Sequence, residues 1–373
     1  MLNPSTFYLQ LKELGFNFFT GVPDSLLKEI CSVISNTVPE QDHIIAPNEG
    51  TAIGLATGYY LATGNPAFVY MQNSGLGNAI NPLLTLADVE LFSIPMLIMI
   101  GWRGQPGFSD EPQHIKQGRI TVDLLDSLDI PSFVLSPTSN SEEILSNAIK
   151  AMNKRSGPTV LLVTKDTFQE YLLPAKNSSD YPMTRERAIN CILTLLNTDD
   201  LIVSTTGMAS RELVENKLAF NQDLNNVFPS VGAMGHVSSI ALGIALSTKS
   251  RKVICLDGDG SIIMHMGSLA IIGQSLATNL VHIAINNGAH DSVGGQPTVG
   301  FKIDLVKIAM ACGYNKAKSV SSEIELSAAL KEFKNSSGPV FLEIRVRKGF
   351  RSDLGRPKTT PLETRNGFMG NFR

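Results

Sequence analysis

The sequence is poor in the features that would take it away from an ordinary aqueous globular fold. Only four cysteines occur in 373 residues, Cys31, Cys191, Cys255 and Cys312, and no two share a CxxC spacing. Neither a disulfide framework nor a cysteine zinc site is indicated. The formal net charge is −3, so there is no electrostatic case for nucleic acid or an anionic membrane surface as a partner. The apolar runs fall far short of the roughly 20 residues that span a bilayer. No G-x-G-x-x-G follows the first strand-like run, which argues against a nucleotide-dependent dehydrogenase. The opening Met1-Leu2-Asn3-Pro4 lacks the charged and apolar regions of a signal peptide. A cytoplasmic protein is the expectation.

What is abundant is apolar side chain. Hydrophobic residues make up 43% of the chain, enough for extensive cores, and the length points to two or three domains. Strand-like runs alternate with helix-length segments throughout. The first half gives Phe16–Thr20, His43–Ala46, Ala67–Met71, Met96–Ile100, Ser132–Leu135 and Thr159–Val163. The second gives Leu201–Ser204, Asn226–Phe228, Val253–Leu256, Leu280–Ile285, Lys316–Val320 and Val340–Val346. This alternation predicts an α/β protein of two doubly wound domains, each with a mostly parallel six-stranded sheet. The polar, proline-bounded stretch 174–182 reads as a linker between domains at 1–173 and 183–373.

The halves look like copies of one unit. Phe19-Thr20-Gly21 answers Thr205-Thr206-Gly207, Gly50–Gly58 answers Val237–Ala245, Ser74-Gly75 answers Ser261-Ile262, and Ser156-Gly157-Pro158 answers Ser337-Gly338-Pro339. The offset stays between about 180 and 187 residues, as a shared fold requires. Two independent α/β domains are the alternative. The copies differ where chemistry would sit. In the second, Gly258-Asp259-Gly260-Ser261 follows one strand, and Asn286-Asn287 ends the next, with twenty-five residues between Gly260 and Asn286. In the first, Gln72-Asn73 lie near the former place and Gly101-Trp102 near the latter.

Parallel strands bind ligands beyond their carboxyl ends. A carboxylate from Asp259, an amide oxygen from Asn287 and exposed backbone carbonyls suit a hard cation such as Mg²⁺, which in turn clamps phosphate oxygens. Gly258 and Gly260 let backbone approach a phosphate, and Ser261 opens a helix whose amides favour an anion. Gly232-Ala233-Met234-Gly235-His236 is a tight turn before a small-residue helix. Glu49 follows a strand and opens an apolar helix, a place that also suits an acid serving only the helix dipole. Asp24-Ser25 either caps a helix or faces an anion there. Arg351 and Arg356 lie in a Gly-containing segment, where a guanidinium suits a tetrahedral oxyanion or simply a solvated basic tail. His114, in the polar stretch 103–117, and His290, just after the asparagine pair, are placed for proton transfer or for orienting a carboxylate, with a structural role as the alternative. His265 and His282 read as structural.

The GDG–twenty-five–NN pattern resembles the fingerprint of thiamine diphosphate enzymes. That resemblance assigns Asp259, the Asn287 side chain and the Ala289 carbonyl to Mg²⁺, with Gly260 and Ser261 near the diphosphate and Thr206-Gly207 as a further diphosphate contact. It gives Gly232 and Met234 backbone contacts to the aminopyrimidine, with the Met234 side chain holding the cofactor bent. It makes Glu49 the glutamate that hydrogen-bonds and activates the pyrimidine, supplied by a partner subunit, so a homodimer or higher homo-oligomer with active sites at the subunit interface is implied.

A narrower resemblance rests on Gly21–Leu27, Asp110–His114, Asn286–Thr298 and Lys348–Pro357. These segments look like the phosphonopyruvate decarboxylase family and its near relatives, the sulfopyruvate decarboxylases. They cover the chain in the expected order, and no room remains for the third, central domain of pyruvate decarboxylase or acetolactate synthase. The function implied is thiamine diphosphate- and Mg²⁺-dependent decarboxylation of 3-phosphonopyruvate to phosphonoacetaldehyde and CO₂ in phosphonate biosynthesis. The substrate is then a small 2-oxo acid with an anionic tail, met by Asp24, Ser25, Arg351 and Arg356, with His114, His290 or the aminopyrimidine as the proton source. A sulfopyruvate decarboxylase, an acetolactate-type carboligase and a non-catalytic cofactor-binding protein are the alternatives.

Overall fold

A computed structural model describes residues 1–171, 181–248 and 250–372. Residues 174–180 of the expected linker lie outside them. The chain divides into two compact units, Met1–Lys176 and Asn177–Arg373.

The first unit is built on strands β1 (Phe19–Gly21), β2 (His43–Ile45), β3 (Ala67–Gln72), β4 (Met96–Gly101), β5 (Ser132–Leu135) and β6 (Thr159–Val163), in the order β2-β1-β3-β4-β6-β5. The second uses β7 (Leu201–Ser204), β8 (Val227–Pro229), β9 (Val253–Gly258), β10 (Leu280–Asn286), β13 (Lys316–Val320) and β14 (Val340–Arg345). Its order, β13-β14-β10-β9-β7-β8, is the same topology read from the other edge. Every pairing within both six-stranded sheets is parallel. A two-stranded hairpin, β11 (Ala289–His290) and β12 (Gln296–Pro297), follows β10. The expected α/β class with two parallel six-stranded sheets is thus present. Among the described residues no helix is long and apolar enough to cross a membrane.

Continuous apolar runs form these strands because both faces of each sheet are covered, so successive side chains enter different cores. In the first unit Phe68, Tyr70, Leu97 and Met99 pack with Phe7, Leu11, Ile30 and Ile34, whereas Val69, Met71, Ile98 and Ile100 pack with Ala52, Ile53, Ala56 and Leu83. In the second, Ile254, Leu256, Ile283 and Leu342 meet Ile189, Ile192, Leu330 and Phe333, while Cys255, Ala284 and Phe341 meet Val237, Ala241, Leu305 and Ala309. Each large aliphatic side chain buried this way contributes roughly 1.5–3 kcal/mol before entropy is counted.

Two strand starts differ from expectation for local reasons, while several strand ends shift by one or two residues. The first strand begins at Phe19, not Phe16, because the Phe16 N–H closes the preceding helix on the Leu11 carbonyl (3.1 Å). The eighth runs Val227–Pro229, since the Val227 N–H turns back to Leu224 (2.9 Å) and the Asn226 side chain is spent on the Thr198 and Asp200 carbonyls.

In both units the chain places its second strand on one side of its first and its third strand on the other. That reversal opens a crevice at the carboxyl ends of the strands. In the first unit the crevice depends on a close backbone approach. A Cβ on Gly21, at the end of β1, would lie 2.0 Å from the Tyr70 carbonyl oxygen and 2.6 Å from its ring. Gly21→Ala is therefore expected to destabilise the protein by about 1–3 kcal/mol through overpacking, read as a lower urea midpoint. An unchanged midpoint would show that β1 and β3 can separate freely.

Candidate active site

In the second unit, four strand ends supply the candidate site. Asp259 follows β9 and opens the helix Asp259–Met264. Its carboxylate is only 2% exposed. The Thr298 hydroxyl donates to it, as do the backbone N–H groups of Asn287 and Gly260. Burial outweighs these donors and pushes the carboxyl up to about 6. A carboxylate so placed gains most from a cation.

The two asparagines at the end of β10 do different things. Asn286 is fully buried; its Nδ2 donates to the Gly300 carbonyl (2.7 Å) and Glu343 Oε1 (2.7 Å), and its Oδ1 accepts the Gly288 N–H (3.1 Å). Asn287 donates through Nδ2 to Asp291 (2.7 Å), while its Oδ1, among the described residues, accepts the Ala289 N–H (3.2 Å). The available groups are therefore a carboxylate, an amide oxygen and backbone carbonyls, an all-oxygen set that fits a hard divalent ion.

The loops around this set are drawn together. A Cβ on Gly260 would come within 2.9 Å of His290 Cε1 and 3.4 Å of the Met234 methyl, so these three residues converge. The Gly235 N–H donates to Ser261 Oγ (3.2 Å), tying the 232–236 turn to the Asp259 helix. The Gly232 carbonyl accepts the Ser230 hydroxyl (2.6 Å). Gly207 has φ +90°, a region that favours glycine, and Ser292 Oγ lies 3.6 Å from where its Cβ would stand. Thr206 is half-buried beside it. Glycine backbone at 207, 235 and 260, with no side chain of its own to exclude a phosphate, accompanies this oxygen set, so the residues present fit thiamine diphosphate and a divalent ion.

A second cluster of ligand-type side chains, Cys255, Asp257 and His282, is wholly buried, with ligand atoms within 4.8 Å of one another. Its histidine is already engaged on both sides, with Tyr314 (2.9 Å) and Asp257 (3.3 Å). This is a core hydrogen-bond chain rather than an open site.

In the first unit, Glu49 opens the helix Glu49–Thr63 behind the N-cap Asn48, whose side chain accepts the Thr51 N–H (2.9 Å). Glu49 is buried, and Oε2 accepts Asn78 Nδ2 (2.8 Å). A Cβ on Gly75 would strike Oε1 at 2.2 Å. Burial raises its pKa. Asp24 is fully buried after β1, bonded by Gln72 Nε2 (2.5 Å) and the Leu26 N–H (2.8 Å); burial raises its pKa too. Ser25 accepts Arg103 Nη1 (2.7 Å), and Arg103 forms a two-point pair with Asp110 (2.8 and 2.5 Å).

His114 lies in the first turn of the helix Pro112–Ser127 rather than in a loop, because Pro112 is pre-set for the first helical position. Burial, aided by Arg103, lowers its pKa to about 4, and its Nδ1 is buried without a partner. Burial likewise lowers His290 to about 4. Both are neutral imidazoles near pH 7.

Arg351 and Arg356 stand differently. Arg351 is half-exposed and spread over three carboxylates: Glu186 (3.1 Å), Asp353 (3.1 Å) and Glu215. Arg356 is exposed. Sequence reasoning missed Arg103, Thr298 and Asp291. Arg103 carried a readable signal, a cation two residues past the carboxyl end of β4; the other two are polar residues in a loop with no periodic cue.

Residues 5–126 match the family described as "Thiamine pyrophosphate enzyme, N-terminal TPP binding domain", and residues 206–344 match "Thiamine pyrophosphate enzyme, C-terminal TPP binding domain". The chain is 35% identical to a phosphonopyruvate decarboxylase of Streptomyces viridochromogenes, over 99% of its length and 94% of the relative. It is 34% identical to one of Streptomyces hygroscopicus, over 99% and 93%. A sulfopyruvate decarboxylase of Methanosarcina acetivorans is 29% identical, over 94% and 92%.

The raised pKa of Asp259 has a pH signature in the metal-free protein. The folded carboxyl titrates at about 6 against an unfolded value near 3.8. Between those values the native state holds more proton than the unfolded chain. Stability from this group is therefore present below about pH 4 and lost as pH rises through 6. Asp259→Asn should remove that component, so its stability advantage over wild type should grow from pH 4 to pH 7 in metal-free thermal melts. A constant difference would mean Asp259 titrates normally.

Proposed function

The chain belongs to the thiamine pyrophosphate enzyme family, and from that premise we propose that it decarboxylates 3-phosphonopyruvate to phosphonoacetaldehyde and CO₂, with thiamine diphosphate and Mg²⁺ as cofactors. The product would enter phosphonate biosynthesis. The observation that carries the reading is the buried Asp259 carboxylate, destabilised by burial and surrounded by oxygen donors on neighbouring strand ends. Its relatives of nearly full coverage supply the substrate class.

When bound, thiamine diphosphate supplies the electron sink that lets the bond to the leaving carboxylate break. The chain supplies the rest. Asp259, the Asn287 oxygen and the Ala289 carbonyl hold the cation, and backbone at Thr206-Gly207 and Gly260-Ser261 receives the phosphates. Gly232 and Met234 seat the pyrimidine. Glu49, oriented by Asn78 and favoured towards its protonated form by burial, hydrogen-bonds a ring nitrogen. His290 and His114, neutral at working pH, would orient the substrate carboxylate through a ring N–H or relay a proton, accepting one at one ring nitrogen as the other releases one. For the anionic tail, Ser25 is backed by a cation, Arg103. Asp24 positions that turn through the Leu26 N–H. Arg351 and Arg356 complete the tail contacts only where the phosphonate displaces the carboxylates now on Arg351.

Glu49 and the metal ligands belong to different copies of the chain in a homodimer or higher homo-oligomer. In support, the apolar helix that begins at Glu49 leaves Gly54, Gly58, Leu61 and Ala62 exposed along one side, with Leu55 half-buried among them. Exposed apolar helix faces of this kind mark association surfaces.

The direct test is a decarboxylation assay on phosphonopyruvate, sulfopyruvate and pyruvate, with and without thiamine diphosphate and Mg²⁺. Phosphonopyruvate should turn over fastest, and only with both cofactors; faster turnover of sulfopyruvate would transfer the assignment to the sulfonate. Glu49→Gln should cut kcat by about 100-fold or more. Mixing E49Q and D259A chains tests the shared site. A trans arrangement leaves one intact site in each mixed dimer and restores about a quarter of wild-type activity for random pairing. A site built within one copy would restore none.

A further inference from the structure

The Asn287 amide is held by a buried charged network. Its Nδ2 donates to Asp291 Oδ2 (2.7 Å), and the same oxygen accepts Arg185 Nη1 (2.9 Å) and the Gly349 N–H (3.0 Å). Arg185 in turn makes a two-point pair with Glu212 (2.8 and 3.0 Å). The three charged side chains are each 7% exposed or less.

The chemistry of this contact is directional. An ionised carboxylate only accepts, so the end of the amide facing Asp291 must be the NH₂ end. A half-turn of the amide would set oxygen against oxygen and lose a charge-assisted hydrogen bond. The carbonyl end is therefore turned away from Asp291, where, among the described residues, its donor is the Ala289 N–H at 3.2 Å.

We propose that Asp291, clamped by Arg185, is a positioning residue that fixes the Asn287 amide with its oxygen available to the divalent cation before the cation arrives. Nothing in the reaction touches Asp291 itself. Partners one step removed from a metal commonly alter its affinity by 10–100-fold through orientation of this kind. The inference rests on the reading of Asn287 as a metal ligand.

Calorimetric titration of Mg²⁺ into the full-length chain with thiamine diphosphate tests it, alongside thermal melts of the metal-free proteins. Asp291→Ala should raise the Mg²⁺ Kd about tenfold or more, while Asp291→Asn, whose amide oxygen can still accept from Asn287, should stay within about threefold of wild type. The decisive variant is the double. Asn287→Asp alone sets two carboxylates together and should weaken binding. In N287D/D291A the repulsion is gone and the carboxylate offers an oxygen at either end, so the double should bind Mg²⁺ more tightly than either single variant. A purely structural network gives the opposite, a double weaker than both. That result, or a D291A Kd within twofold of wild type, overturns the positioning role. If D291A does not fold, the near-isosteric N287D/D291N exchanges donor and acceptor and should bind more tightly than N287D; equal or weaker binding overturns the role as well. A wild-type chain that takes up no Mg²⁺ with thiamine diphosphate would instead overturn the metal reading beneath it.

Discussion

A carboxyl group taken out of water must be hydrogen-bonded, neutral or paired with a cation, and this constraint falls on Asp24, Glu49 and Asp259, each buried past the carboxyl end of a parallel strand. Asp24 leans on Gln72 and the Leu26 N–H, Glu49 on Asn78, and Asp259 on Thr298 and backbone N–H groups. In each case burial still wins and the carboxyl is pushed towards its protonated form. The three solutions leave different chemistry available. Glu49 keeps a face for a hydrogen-bonding partner. Asp259 sits where other oxygen donors can share a cation with it. Asp24 spends its oxygens on holding a turn.

The same constraint explains why two units of one topology do not carry the same site. By strand register, Gln72-Asn73 in the first unit stands where the second has Gly258-Asp259, and Trp102-Arg103 stands where it has Asn286-Asn287. The glutamine serves Asp24 as a donor rather than offering a charge. Gly101 cannot be larger, because a Cβ there would lie 2.2 Å from the Asp24 carboxylate. The first unit thus sets a neutral amide, Asn73, bonded to the Arg103 carbonyl and Thr121, and a cation, Arg103, paired with Asp110, where the second offers a carboxylate and an amide oxygen.

Much of this was legible in the sequence, for physical reasons that differ by feature. The strands were legible because sheets buried on both faces need unbroken apolar runs, and Ala67–Gln72 or Thr159–Val163 have no other use. Boundaries such as Phe16 and Asn226 were not, because they depend on which neighbour takes one N–H or one amide. The Asp259–Asn287 set was legible because strand, loop and spacing coincide. Thr298, which reaches Asp259 across 39 residues, was not, because no local pattern announces a partner supplied by the fold. His114 fell on the wrong side of a helix start although Pro112 was there to be read. Arg351 looked like a free cation in the sequence, and three acidic neighbours, two of them far along the chain, give it company.

The asparagine pair shows how far the fold goes to orient two small amides. Asn286 is tied to Glu343, which Ser319 and Arg345 hold from the other side; Asn287 is tied to Asp291, which Arg185 and Gly349 hold. Each amide thus faces an acid, and each acid faces an arginine. Buried ion pairs of this kind add little net stability, because desolvation consumes most of their attraction. Their value here is directional. An acid can meet only the NH₂ end of an amide, so both carbonyl ends are set by the same rule. Asn286 turns its oxygen onto the Gly288 N–H and shapes the turn. Asn287, the first residue past the strand, meets a different acid, Asp291, and its oxygen takes the Ala289 N–H. One polar dipeptide thereby fixes the loop with its first residue and presents an oxygen with its second.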